Sequence, residues 1–267
     1  MIDKQQIECH FGRMAKQYDE YAIVQKRTGE YLQELVAEAG PFETILEIGC
    51  GTGFFTKKLI QLYPSAQITA SDISLKMLQA AKENLVGFSN IQYILADGEN
   101  PDMTGTFDLI VSNAAFQWFN DYNSAFKQLM DRLKPGGRLM YATFGQHTFH
   151  ELRQSFSSAE EFLKLEKSGQ HGPDFISLAQ LAIISKKLNM QAEFQEENMI
   201  EHFPSVKEFL LSVKKAGANN AVNKRKPFVN RSLMLRMMKE YEQQFYRFGC
   251  VPATYHVIYG KHKKIVL

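Results

Sequence analysis

The sequence predicts an α/β fold: a mostly parallel sheet with helices on both faces and a helical lid inserted late in the chain. Three observations carry this. Through the first 150 residues, short apolar runs alternate with segments of helical period. The first run, "ILEIGCGTGFF" at 45–55, ends in glycines at every second position. After Phe149 charged amphipathic helices take over. Strands alternating with helices of this length imply right-handed crossovers and a parallel sheet.

The elements follow in order. An apolar run at 44–48 ends at glycine, and 54–62 carries apolar residues at helical spacing. Residues 67–71 form a second strand, and 74–85 a helix in which Leu75, Met77, Leu78 and Ala81 recur. Strands follow at 91–96 and 107–112, and then a helix at 123–133 that stops at the turn signal Lys134-Pro-Gly-Gly137. A fifth strand covers 138–144. Beyond it, helices are predicted at 149–165, 178–188, 205–215 and 232–245, a strand at 191–202, and a closing strand at 254–259.

Composition sets the bounds. The 267 residues suit one large domain or a core with an added lid, and 45% hydrophobic residues fill a core of that size. A net charge of +2 gives no global field toward nucleic acid or membrane. The N-terminus lacks a signal-peptide segment, and no run approaches the ~18 apolar residues of a span. Cys9, Cys50 and Cys250 are too scattered for a disulfide framework or a zinc site. A cytoplasmic protein without a metal is expected.

Gly49, Gly51 and Gly53 stand between the first strand and its helix, at the sheet end where open α/β folds bind ligands. A dinucleotide fingerprint needs G-x-G-x-x-G, and Phe54 occupies the place of its third glycine. Glu47, two residues upstream, argues against a pyrophosphate and for a cation. Asp72 closes the second strand about 20 residues on, the usual place for a carboxylate that grips ribose hydroxyls. Asp97 closes the third, placed to accept from an exocyclic adenine amine.

Together, E-x-G-x-G-x-G, Asp72, Asp97 and "LKPGG" resemble the class I S-adenosylmethionine-dependent methyltransferases over residues 45–144. The resemblance implies a Rossmann-like seven-stranded sheet with S-adenosyl-L-methionine as cofactor. It implies a binding set of Glu47, Gly49, Cys50, Gly51, Gly53, Asp72, Ile73, Met77, Asp97, Gly98 and Asn113.

The residues after the fourth strand, "SNAAFQWFND" at 112–121, lack the Asn/Asp-Pro-Pro-aromatic motif of enzymes that methylate base amino groups. Trp118, the only tryptophan, fits either the core or an acceptor pocket. The N-terminal "FGRMAKQYDEYAIVQ" by itself reads as an amphipathic helix packed on the domain. Taken with "SNAAFQWFND" and "TFGQHTFHELRQSF", it closely resembles the BioC family, which methylates malonyl-[acyl-carrier protein] in biotin synthesis. Gly12 and Met14 depart from the family's usual Asn and Ala.

The resemblance implies O-methylation of a malonyl thioester's free carboxylate, which is already ionised at neutral pH. It divides the chain into a helical cover of the active site at 1–40, a cofactor-binding core at 41–150, and the remaining strands with a helical lid at 151–267. Tyr18 would lie over the site, Gln117 and Trp118 would complete the pocket, and Arg153 would grip the carboxylate, unless it is an ordinary surface arginine. Lys207, Lys214, Lys215, Lys224, Arg225, Lys226, Arg231, Arg236 and Lys239 face the single acid Glu208 between residues 203 and 239. That cluster, with Lys214, Lys215 and Arg225 at its centre, would steer an acidic acyl carrier protein; a solvated helical face is the plain alternative. A small free carboxylic acid of aconitate type is the other acceptor that suits the same core. Oligomeric state is not readable.

Overall fold

The computed structural model describes residues 2–166, 171, 174–216 and 231–265. Three helices lead the chain: α1 (Lys4–Met14), α2 (Tyr18–Tyr21) and α3 (Ile23–Ala39). The single N-terminal helix read from the sequence over residues 11–25 is thus divided among all three. Asp3 caps α1 through bonds from the Gln5 and Gln6 amides, and the chain breaks at Gln17 before the one-turn α2.

The sheet strands are β1 (Thr44–Ile48), β2 (Gln67–Asp72), β3 (Ile91–Leu95), β4 (Phe107–Asn113), β5 (Leu133–Phe144), β6 (Gln191–Phe203) and β7 (Val251–Lys263). Their order is β3-β2-β1-β4-β5-β7-β6. β1 to β5 pair in parallel, and β7 runs antiparallel between β5 and β6. The chain winds outward from β1 to β3 and returns to β4, so the crevice opens above β1 and β4.

Alternation along the strands divides the core into two layers. Ile45, Leu109, Val111, Met140 and Ala142 face α3 and α4 (Phe54–Leu62). Leu46, Ile110, Leu139 and Tyr141 face α6 (Tyr122–Asp131) and α8 (Leu178–Lys187). Helix α5 (Leu75–Asn84) packs on β2 and β3. A third cluster joins α7 (His150–Phe162), α9 (Val206–Lys215) and α10 (Arg231–Phe245) over Val251 and Ala253 of β7. Glu151, 2% exposed, clamps α7 there by accepting from the Thr254 amide and hydroxyl.

Two expectations shift. Lys134-Pro-Gly-Gly137 lies inside β5 rather than in a turn: Leu133 already pairs with Phe107, and a register shift before Leu109, with Gly136 at φ 77°, absorbs the extra residues. β7 spans thirteen residues instead of the six read from its apolar stretch, because buried Val251 and Ala253 precede that stretch and buried His262 follows it.

Candidate functional site

The glycine loop leaves the carboxyl end of β1 with its amides already spent. The Gly49 and Cys50 N–H groups donate to the Ser71 carbonyl at 2.8 and 2.9 Å, Gly51 N–H to Asp72 Oδ2 at 2.9 Å, and Gly53 N–H to the Cys50 carbonyl at 2.9 Å. A phosphate-binding loop works by aiming such donors at its ligand. This loop turns them inward, and Gly49 and Gly51, at φ 73° and 55°, bring the bare backbone to the cleft surface.

A cleft of about 650 Å³ opens beside it, lined on its floor by Ile48, Gly49, Gly51, Asp72, Ile73, Met77, Ala96, Asp97, Gly98 and Asn113. An adjoining cavity of about 380 Å³ reaches Glu47, Cys50, Thr52 and Gln25, and shares Tyr18, Gly49, Gly51 and Asn113 with the first. Glu47 is 1% exposed and its Oε2 has no hydrogen-bond partner among the described residues. Burial, reinforced by the charge of Asp72, pushes its carboxyl up to about 8. Burial also lifts Asp72 to about 6, although the Ser74 and Gly51 amides oppose the rise. Two carboxyls so placed want a cation.

The cover comes from the N-terminal helices and the segment after β4. Lys4, Ile7, Phe11, Tyr18, Ala114, Ala115, Trp118 and Phe119 close the cleft. Phe11 packs edge-on against both Trp118 and Tyr18, with ring centroids 5.7 and 6.0 Å apart. Trp118 Nε1 is buried without a partner among the described residues. Burial, and then the charge of Asp72, drives the Tyr18 hydroxyl upward in pKa, so it stays protonated. Asn113 ties the cover to the floor by donating to the Gln25 carbonyl at 2.8 Å and accepting from Thr28 Oγ1 at 2.8 Å.

Several residues singled out in the sequence stand elsewhere. Gln117 is 4% exposed and turned into the core, donating to the Ala114 carbonyl and accepting from Thr143, so it is not part of the cleft wall. Arg153 donates to the carbonyls of Gln146 and Thr148, both at 2.5 Å; its guanidinium braces the loop after β5 and does not line the cleft. The Cys50 side chain packs with Ala70, Leu78 and Ala81, and Gly53 starts α4 against Leu85. Lys214 is exposed, whereas Lys215 donates to the Tyr21 hydroxyl at 2.6 Å. Arg225 lies outside the described residues.

Sequence reasoning missed Lys4. Its ammonium sits 3.1 Å from Asp97 Oδ1 and 2.6 Å from Glu99, at the end of the cleft where an adenine amine was expected. It also missed Asp19, which accepts from Thr52 Oγ1 at 2.9 Å. The "YD" pair was visible, but its partner in the glycine loop was not.

Comparison with known proteins agrees with this geometry. Residues 45–137 match the methyltransferase domain family. Among solved structures, the YcgJ protein of Bacillus subtilis superposes with a TM-score of 0.62 at 13% identity, covering 89% of this chain and all of that one. A phosphoethanolamine N-methyltransferase of Haemonchus contortus in complex with S-adenosyl-L-methionine gives 0.56 at 19%, covering 89% and 53%. Fold and cleft define a class I methyltransferase with S-adenosyl-L-methionine as cofactor. Three relatives named malonyl-[acyl-carrier protein] O-methyltransferase match nearly end to end. The protein of Acetivibrio thermocellus is 38% identical over 99% of this chain and 95% of its own. Those of Anoxybacillus flavithermus and Bacillus anthracis are 38% and 36% identical, each over 97% of both chains. The chain belongs to the malonyl-[acyl-carrier protein] O-methyltransferase family.

The cleft fits that cofactor. The unpartnered Glu47 oxygen can accept from a donor, and a side chain at Gly98 would overlap Ile48 on the floor.

Proposed function

We propose that the chain transfers a methyl group to the free carboxylate of a malonyl thioester on an acyl carrier protein, an early step of biotin synthesis. The observation that carries this is the reach of the family match: 97–99% of the chain, cover and late helices included, matches relatives of that name. A small free acid would need only the core.

Bound in the cleft, S-adenosyl-L-methionine supplies an electrophilic methyl group. Glu47 would hold its ammonium, Asp72 its ribose, and Asp97 and Gly98 its base, with Ile73 and Met77 packing on the adenosine. The chain need supply no general base, since a carboxylate arrives ionised. Its work is to position the acceptor and exclude water. The apolar cover of Ile7, Phe11, Ala114, Ala115 and Phe119 does the excluding. The Tyr18 hydroxyl and the unpartnered Trp118 N–H are its donors for the carboxylate. This shifts the grip from Arg153, whose donors the Gln146 and Thr148 carbonyls occupy.

Exposed Lys207, Lys214, Arg231 and Lys239 on α9 and α10 would steer the acidic carrier. We place the enzyme in the cytoplasm, where thiols such as those of Cys9, Cys50 and Cys250 persist; among the described residues no helix is long and apolar enough to cross a membrane. The test is the intact mass of the carrier after incubation with cofactor and malonyl-[acyl-carrier protein], with free malonate in parallel. A one-methyl gain on the carrier alone supports the reading. Methylation of the free acid alone moves the function to small acids.

A further inference from the structure

Tyr18 covers the cleft from a helix that cannot hold itself. α2 is four residues long, and one isolated turn is unstable in water. Its support comes from three other elements. Thr52 of the glycine loop donates to Asp19 Oδ1 at 2.9 Å. Lys26 of α3 donates to the Asp19 carbonyl at 2.7 Å. Lys215, at the last position of α9, donates to the Tyr21 hydroxyl at 2.6 Å and lies 4.5 Å from that ring's centroid. The first two contacts belong to the cofactor core and the cover. The third reaches α2 from the basic helix, where exposed Lys214 stands next in sequence.

We propose that Lys215 and Tyr21 form a strut that seats the Tyr18 cover from the carrier-facing helix, making Lys215 a positioning residue for methyl transfer rather than a free docking cation. The inference rests on the carrier-dependent reading of function above. α9 is itself firmly placed, with Val206 and Phe209 buried against α10 and β7, so it can serve as the fixed end. The Tyr21 hydroxyl beside it raises the Lys215 pKa, so the donor stays charged. Tyr18 lines both parts of the cleft, and its ring stands 4.0 Å from where a side chain on Gly51 would begin. A loose α2 therefore widens the site where cofactor and acceptor meet, while the docking lysines stay in place. In-line transfer is sensitive to such looseness, since small misplacements cost rate.

The experiment compares Lys215→Met, Tyr21→Phe and the double variant of the full chain with Lys214→Glu. Each is assayed on malonyl-[acyl-carrier protein] and on a malonyl thioester of pantetheine. Affinity for S-adenosylhomocysteine is read from the fluorescence of Trp118, the chain's only tryptophan. A strut predicts that both single variants lower kcat on both substrates by roughly threefold to tenfold, the size of one lost hydrogen bond. The double variant is then no worse than either single one, because the two groups act as one contact. Lys214→Glu instead raises KM for the carrier substrate alone. If Lys215→Met behaves like Lys214→Glu, or Tyr21→Phe matches wild type, the strut is overturned. Should the wild-type protein methylate neither malonyl thioester, the functional reading fails, and affinity decides the strut separately. Equal, non-additive losses of S-adenosylhomocysteine binding in the two single variants support it, and unchanged binding overturns it.

Discussion

On the floor of the cleft, Glu47, Gly49, Gly51, Asp72 and Asp97 stand at the ends of three adjacent parallel strands, fixed by the sheet register and by backbone hydrogen bonds. The cover is assembled differently. It brings Lys4, Phe11 and Tyr18 from the first helices, Trp118 from beyond β4 and Lys215 from α9 through side-chain contacts, most of them across long sequence separations. A rigid floor can hold a cofactor in any member of the fold class. On the function proposed above, a cover held by separate contacts is where acceptor identity and coupling to a partner would reside.

Breaking the floor should have the largest effect. Asp72→Ala removes the acceptor of the Gly51 and Ser74 amides along with the proposed ribose contact. Cofactor affinity should fall by at least ~100-fold, in line with truncating one side of a buried charged contact. Calorimetry showing near wild-type affinity would refute the ribose role. Glu47→Gln comes next, with a loss of roughly 30-fold, again from a buried charged contact.

The pH profile tests the same carboxyl. In the free protein Glu47 titrates near 8, yet an ammonium ligand favours its ionised form. Binding below about pH 8 therefore releases a proton, and affinity climbs by up to about tenfold per pH unit before levelling near 8. Titrations in buffers of different ionisation enthalpy should detect that proton in wild type and not in Glu47→Gln. The sign for folding is the reverse. A carboxyl raised from 4.5 to about 8 by folding makes the cofactor-free protein lose stability as pH rises through that window. A melting temperature that rises from pH 5 to 8 through this group would contradict the assignment.

Residues away from the floor give smaller effects. Arg153→Met should cost about 1–2 kcal/mol of stability, since it orphans the Gln146 and Thr148 carbonyls. That appears as a lower melting temperature with an almost unchanged KM for the acyl substrate. A large rise in KM with unchanged melting would return Arg153 to the acceptor. Smallest is the pair Lys214→Glu and Lys239→Glu. It should slow association with the carrier a few-fold at low salt and hardly at all at high salt, because exposed charges are screened beyond about 8–10 Å. A salt-independent loss would point to the fold.

The contrast between floor and cover also marks where the sequence was legible. The alternation of strands and helices, the glycine loop and the carboxylates at successive strand ends follow from local pattern, because a parallel sheet puts every strand's carboxyl end on one edge. The preference for a cation over a pyrophosphate beside Glu47 was legible because the spacing of Glu47 from the glycines survives folding unchanged. Gln117 and Arg153 were not legible in the same way. Each sits in the right segment with the right chemistry, but rotation about a few side-chain bonds turns one into the core and the other onto loop carbonyls. Lys4 carried no signal, and the contacts that Asp19 and Lys215 make were not readable, since the partners Asp97, Thr52 and Tyr21 lie 93, 33 and 194 residues away.

By itself, then, the sequence determined the sheet and the binding loop, properties of contiguous segments whose periodicity and glycine spacing dictate backbone geometry, and its resemblance to methyltransferases implied the ligand. Only the tertiary structure decided which polar side chains reach the cleft and which are consumed in bracing it. That choice depends on competition among hydrogen-bond partners distant in the chain, and each buried polar group takes the partner that packing leaves within reach.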